Sequence, residues 1–319
     1  MCEILYLVVP CYNEEKVIRE TAKRLLFKLQ EMIENKIISK NSKIVFVNDG
    51  SSDNTWNIIK ELHSNNDIYC GINLSRNRGH QNALLAGLLT VKEYADIVIS
   101  LDADLQDDIE IINEFVKKYY EGNDIVYGVR ESRECDSFFK KTTALAFYKF
   151  MNLIGVESIC NHADYRLLSK RVLNELANFK EVNLFLRGLI PLIGFKWATV
   201  KYKRHERFAG ESKYPLCKML YFALDGITSL SVKPIRMISA VGFMIFCISV
   251  CVFIYTIIVK LLGKTVSGWT SLAISIWILG GIQLLSLGVI GEYIGKIYSE
   301  TKQRPRFIIM DKLLTKNNK

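Results

Sequence analysis

Ser100-Leu101-Asp102-Ala103-Asp104-Leu105-Gln106-Asp107-Asp108 closes the apolar run Ile97-Val98-Ile99. So short a β-branched run reads as a buried strand, and its acids fall where a doubly wound sheet opens its ligand crevice. Alternate positions of an extended segment face the same way. Asp102 and Asp104 are therefore placed to offer oxygens to one hard cation that also takes water and phosphate oxygens. The same acids suit a second reading, a polar loop that caps the following helix.

Upstream, strand-like runs at 4–9, 43–47 and 68–74 are each followed by turn residues and then a helical pattern, to about residue 34, from about 56, and over 80–93. The fourth unit is 96–101, the acidic loop, and a helix over 108–121, and a fifth strand is expected at 124–129. Strands alternating with helices imply right-handed parallel crossovers, hence an open α/β sheet, mostly parallel, with helices on both faces. The polar segments Cys11 to Glu15, Asn48 to Thr55, Ser75 to Gly79 and the acidic loop all fall at the same strand ends. That clustering points to a binding crevice. No G-x-G-x-x-G follows the first strand and no G-x-x-x-x-G-K-[ST] occurs, so a nucleotide bound here is left to Asn13, Glu14, Asp49 and a metal.

The 319 residues are 50% hydrophobic and 24% charged, which excludes a disordered chain and allows one large domain or two ordinary ones. The eight cysteines form no C-x-x-C pair, which argues against zinc and for a reducing compartment. The net charge of +9 permits several anionic partners. Because the cations gather beside apolar segments and loops rather than in a stripe, nucleic acid is not expected among them.

From Arg130 the pattern changes. Arg133, Lys140 and Lys141 flank an aromatic-rich stretch expected as an interfacial helix near 138–153, with a solvated basic face on a core helix as the alternative. A helix is expected from Lys170, an apolar helix over 184–193 carries Arg187, and a strand-like 195–202 leads to the basic run 203–214 around Arg207, Ser212 and Lys213, expected to bind phosphate. Residues 237–259 and 268–291 are uncharged and apolar, each long enough to span a bilayer core. Lys233 and Arg236 precede the first, and Lys296, Lys302, Arg304 and Arg306 follow the second, so positive-inside bias puts the first domain and both termini in the cytoplasm. The expected layout is a catalytic domain over 1–213, a juxtamembrane helical segment over 214–234, a two-helix transmembrane hairpin over 235–292 and a basic cytoplasmic tail over 293–319.

Val8-Val9-Pro10-Cys11-Tyr12-Asn13-Glu14, Asn48-Asp49-Gly50-Ser51-Ser52-Asp53, Arg76-Asn77-Arg78-Gly79-His80-Gln81 and Asp102-Ala103-Asp104-Leu105-Gln106-Asp107 together resemble the family 2 glycosyltransferases. Asp164-Tyr165-Arg166, the run from Arg207 to Tyr214, and the apolar hairpin resemble the polyprenyl-phosphate branch, which includes dolichol-phosphate mannose synthases and bactoprenol glucosyltransferases. The resemblance covers nearly the whole chain. It implies a GT-A fold, a nucleotide-sugar donor with UDP-glucose as default, Mg²⁺ or Mn²⁺, and a polyprenyl phosphate acceptor at the plasma or inner membrane. By the same resemblance Pro10, Tyr12, Asn13, Glu14, Asp49, Ser51, Arg76 and Ala103 line the nucleotide-sugar site, Asp49 reading the base. Asp102, Asp104 and Gln106 stand at the metal and diphosphate. Arg130, Arg133, Lys140, Arg207, Ser212 and Lys213 face phosphates. Asp104, Asp164, Arg207 and Lys213 are the expected catalytic group, Asp164 as an orienting group or a base. Arg78 departs from a frequent aromatic, and Asp108-Ile109 from a common Pro-Pro. A homo-oligomer through the membrane and juxtamembrane segments is also expected. Mannose or aminosugar transfer, a processive synthase and a non-catalytic scaffold are the rival readings.

Overall fold

The computed structural model describes residues 2–130, 162–182, 185–203 and 268–314, with scattered positions between 235 and 258. The chain divides into two compact units, one of residues 1–148, 157–215 and 304–319, the other of 149–156 and 216–303.

The first unit is built on β1 (Leu5–Cys11), β2 (Lys43–Asn48), β3 (Tyr69–Leu74) and β4 (Ile97–Ser100), separated by α1 (Ile18–Glu34), α2 (Thr55–Asn65) and α3 (His80–Val91). After the acidic loop come a 3₁₀ turn (Ile109–Ile111), α4 (Ile112–Tyr120) and β5 (Ile125–Arg130). There follow β6 (His162–Ser169), α5 (Lys170–Leu176), α6 (Leu186–Leu192), β7 (Trp197–Tyr202) and, near the C-terminus, β8 (Ile309–Leu313). Among the described residues these strands form one sheet in the order β7-β5-β6-β4-β1-β2-β3-β8. The pairs β1–β2, β1–β4, β2–β3 and β5–β7 are parallel.

β1 is buried on both faces, which explains its unbroken apolar run. Leu5, Leu7 and Val9 pack with α1 and α4 residues such as Leu25, Leu29 and Phe115, whereas Tyr6 and Val8 pack with Leu84, Leu88 and Leu173 on the other side. Helix α3 comes close at Gly87, where a Cβ would stand 2.5 Å from Val8 Cγ1. The chain runs outward through β1, β2 and β3, then returns to place β4 on β1's other side. The switch point of the sheet therefore lies between β1 and β4, at the loops that follow them.

Two strands depart from the sequence reading. β6 inserts antiparallel between β4 and β5, with Arg166 opposite both Ser100 and Tyr127. Its polar, Arg-containing sequence hides a buried strand. β8 pairs antiparallel with β3, so part of the segment expected as a basic tail closes the sheet edge. An edge strand needs mainly backbone hydrogen bonds, and half-exposed Ile-Met-Asp-Lys-Leu carries little apolar signal.

In the second unit the longest described helix is α7 (Trp269–Thr301), 33 residues, with Leu272, Ile276, Leu284 and Leu287 exposed. Among the described residues no helix is long and apolar enough to cross a membrane. The two expected spans are thus not met there: 237–259 is described only at scattered positions, and several side chains within 268–291 lie outside the description. The interfacial helix near 138–153 and the segment 214–234 also fall outside the described residues.

Candidate active site

The loops at the ends of β1, β2 and β3 are tied into one surface. Asn13, at φ 54°, donates its N–H to Ser51 Oγ at 3.0 Å and accepts from Ser52 N at 2.9 Å. Glu14 N–H donates to Thr55 Oγ1 at 3.0 Å. Asp49 accepts from the backbone N–H groups of Arg78 at 2.7 Å and Gly79 at 2.9 Å, and is only 3% exposed. Burial pushes its pKa up, and the two N–H donors pull it back. Its carboxylate thus clamps the β3 loop. Gly50 makes that approach possible: at φ 63°, its missing Cβ would lie 2.5 Å from Arg76 C. Tyr12 is 41% exposed, Arg76 is also exposed, and Pro10 is buried inside β1 opposite Val47.

The acidic loop is held from below by α1. Thr21 Oγ1 donates to Ala103 O at 2.8 Å, and buried Lys28 pairs with Glu110 and Glu31. Leu105 sits at φ 57°, a left-handed conformation uncommon for such a side chain. Asp104 Oδ1 accepts from Gln106 N at 3.2 Å, and Gln106 is buried. The two readings of the loop divide between residues: Asp108, not Asp107, caps the next turn, accepting from Glu110 N at 2.9 Å. Asp107 turns inward, accepts from Tyr202 O–H at 2.6 Å and faces Arg130 at 3.6 Å. Burial, then the Asp102 charge, pushes its carboxyl up to about 6.

Because β6 runs antiparallel to β4, its first residues arrive at β4's carboxyl end, and Ser100 Oγ donates to Asp164 O at 2.6 Å. The Asp164 carboxylate is gripped by two guanidiniums. Arg187 Nε and a terminal nitrogen lie at 3.1 and 2.9 Å, and Arg166 donates to Oδ1 as well. Burial alone would raise its pKa, but Arg166 and Arg187 outweigh that and hold it well below the usual carboxylate range. His80, first residue of α3, places Nε2 3.7 Å from both Asp102 and Asp164. Asp102, Asp164, His80 and Arg187 thus converge from four elements.

Among the described residues no three His, Cys, Asp or Glu side chains converge as a closed metal cage. The residues left for a metal are Asp102 and Asp104, two oxygen donors at alternate loop positions, which fits an oxygen-seeking divalent ion that completes its shell with water and phosphate. Arg133, Lys140, Arg207, Ser212 and Lys213 lie outside the described residues. His80 and Arg166 stand within the quoted motifs but carry no expected role there, and the Asp107–Tyr202–Arg130 contact has no sequence signal. Arg187 stands out in the sequence only as a cation in an apolar helix, and that isolated charge was the available signal.

The pattern of glycosyl transferase family 2 matches residues 6–177, more than half of the chain. The chain belongs to this family. As a member of family 2 it is a glycosyltransferase, and residues 233–297 match the GtrB C-terminal hairpin. The uncharacterized glycosyltransferase YkoT of Bacillus subtilis (strain 168) is 56% identical over 306 residues, 96% of this chain and 91% of its own. The bactoprenol glucosyl transferase of Shigella phage SfV is 40% identical over 305 residues, 95% of this chain and 97% of the relative. A mannosyltransferase from Pyrobaculum calidifontis, solved with GDP-Man and Mn2+, overlays loosely, at TM-score 0.45 and 16% identity, over 94% of this chain and 85% of that one.

Proposed function

We propose that the chain is a membrane-anchored, inverting glycosyltransferase that moves glucose from UDP-glucose to undecaprenyl phosphate, yielding a lipid-linked sugar for the cell envelope. The observation that carries this reading is the approach of Asp102, from the acidic loop, and of the doubly clamped Asp164 to one side chain, His80, at the carboxyl end of β4. Likeness to a bactoprenol glucosyl transferase over 95% of the chain supports the substrate pair. The hairpin match and the exposed apolar side chains of α7 support membrane anchoring. The Lys and Arg residues flanking the two apolar stretches are the ground for proposing the catalytic unit and both termini on the cytoplasmic side. The same segments are the proposed contact of a homo-oligomer.

The acceptor is a phosphate monoester and already anionic near neutral pH, so the nucleophile needs little help from a base. A divalent ion, Mg²⁺ or Mn²⁺, held by Asp102 and Asp104 with Gln106 beside them, would supply Lewis-acid stabilisation to the departing diphosphate. Asp164 acts as an orienting anion. A carboxylate held this far below its usual range is a weak base, and its fixed geometry suits alignment of the sugar or of His80. Asp49 keeps the donor loop in shape, leaving the exposed ring of Tyr12 to meet the base. Arg130, together with Arg133, Lys140, Arg207, Ser212 and Lys213, offsets repulsion between acceptor and donor phosphates.

The test is purified full-length protein with undecaprenyl phosphate, Mn²⁺ or Mg²⁺, and labelled UDP-glucose, GDP-mannose or UDP-N-acetylglucosamine in parallel. Labelled lipid is expected with UDP-glucose and is lost in Asp104→Asn. No labelled lipid from any donor overturns the proposal.

A further inference from the structure

A row of side chains crosses the sheet at its ligand edge. Asn48 is the cross-strand partner of Asn73, and Asn73 of Asp311, so all three share one face. Asp311 Oδ2 accepts from Asn73 Nδ2 at 3.2 Å, and Asn73 Oδ1 accepts from Asn48 Nδ2 at 2.8 Å. Asn48 Oδ1 then accepts from Ser51 N at 3.4 Å, and Ser51 Oγ accepts from Asn13 N at 3.0 Å. Both asparagines are buried, so neither amide turns freely to water.

The direction of this row matches both of its ends, the donor-only Ser51 N–H and the acceptor-only Asp311 carboxylate, and of these only Asp311 is a side chain that substitution can change. An ionised carboxylate only accepts, so Asn73 must turn its NH₂ toward Asp311 and its carbonyl toward Asn48. Asn48 must then offer its NH₂ to Asn73 and its carbonyl to the N–H of Ser51. If the row is reversed, the Asn48 NH₂ meets the Ser51 N–H, donor against donor, in the turn that holds Asn13 in its left-handed conformation.

We infer that Asp311, on the C-terminal strand, is a positioning residue that sets the hydrogen-bond polarity of the donor-binding loops after β1 and β2. This rests on the proposed donor site. It also gives β8 a part in the reaction beyond closing the sheet edge: the strand carries the acceptor-only group that the loops need.

Full-length protein is assayed over a range of UDP-glucose concentrations as wild type, Asp311→Asn, Asp311→Lys, and Asp311→Lys combined with Asn48→Asp. Asp311→Asn still presents a carbonyl to Asn73 and is expected to keep donor KM within about twofold of wild type. Asp311→Lys presents only donors, reverses the row, and is expected to raise donor KM about tenfold with kcat changed less than about twofold. Adding Asn48→Asp restores an acceptor for Ser51 N–H within the reversed row, and donor KM is expected to recover at least half of the loss on a logarithmic scale. If Asp311→Lys acted only by detaching β8, the second substitution would not recover KM, and that result overturns the inference. So does an equal KM in Asp311→Asn and Asp311→Lys. A wild-type protein inactive with every donor sinks the donor reading instead. The row is then judged by amide hydrogen exchange in peptides covering 11–17 and 48–55, where Asp311→Lys must exchange faster than both Asp311→Asn and the double variant; equal rates overturn it.

Discussion

Replacing Asp49 by Ala removes the clamp between the loops that follow β2 and β3, which form part of the proposed donor site. The carboxylate accepts two backbone N–H bonds, at 2.7 and 2.9 Å, while it is nearly inaccessible to solvent. A hydrogen bond to a charged group contributes about 1.5–3 kcal/mol. Gly79 is exposed and regains water once released, so the two bonds together are expected to cost about 2–4 kcal/mol rather than their full sum. For a folded unit of this size that lowers the melting temperature by about 5–12 °C. Asp49→Asn keeps one acceptor and turns an NH₂ toward the second donor, so it is expected to lose more than half of that amount. The assay is thermal unfolding of the detergent-solubilised full-length protein, followed by tryptophan fluorescence, beside donor KM for each variant. An Asp49→Ala protein that melts within about 1 °C of wild type would refute the clamp. A normal melt with a raised donor KM would move Asp49 back to direct contact with the base.

Gly50→Ala forces a side chain into φ 63° and against the Arg76 backbone at 2.5 Å, and is expected to destabilise by at least about 1–2 kcal/mol, read from the same melt. Thr21→Val removes the hydroxyl that holds Ala103 O between the two loop acids, while Thr21→Ser keeps it. Valine is expected to raise the Mn²⁺ concentration for half-maximal activity about three- to tenfold and to lower the melting temperature, with serine near wild type. Asp164 has a depressed folded pKa, so its stabilising contribution is complete above the unfolded value of about 4 and is lost as pH falls toward the folded value. Melting temperatures of wild type and Asp164→Asn should therefore converge as pH drops below about 4, and a gap independent of pH would contradict the ion pairing.

The first four strands and their helices were legible because each strand of a parallel sheet is buried on both faces and carries an unbroken apolar run. β1, β2 and β4 are of this kind, and their polar loops follow from the same pattern. β6 and β8 were not legible. Arg166 interrupts the apolar signal of β6, and its burial is intelligible only beside Asp164 and the neighbouring strands. β8 is held by pairing with β3, a partner more than two hundred residues away in sequence.

The sequence by itself determined the α/β architecture, the edge of the sheet on which the polar loops gather, and the placing of Asp102 and Asp104 in one of those loops, while Asp164 was singled out only by the resemblance to family 2. Periodicity and loop chemistry are local, and a single chain displays them directly. Only the tertiary structure decided how those acids are used. It turned Asp107 inward to Tyr202 and made Asp108 the cap, tied Asp49 to the next loop, and set Asp164 between Arg166 and Arg187 within reach of His80. Each of those outcomes depends on burial and on charges brought together from distant parts of the chain, quantities that no local pattern contains.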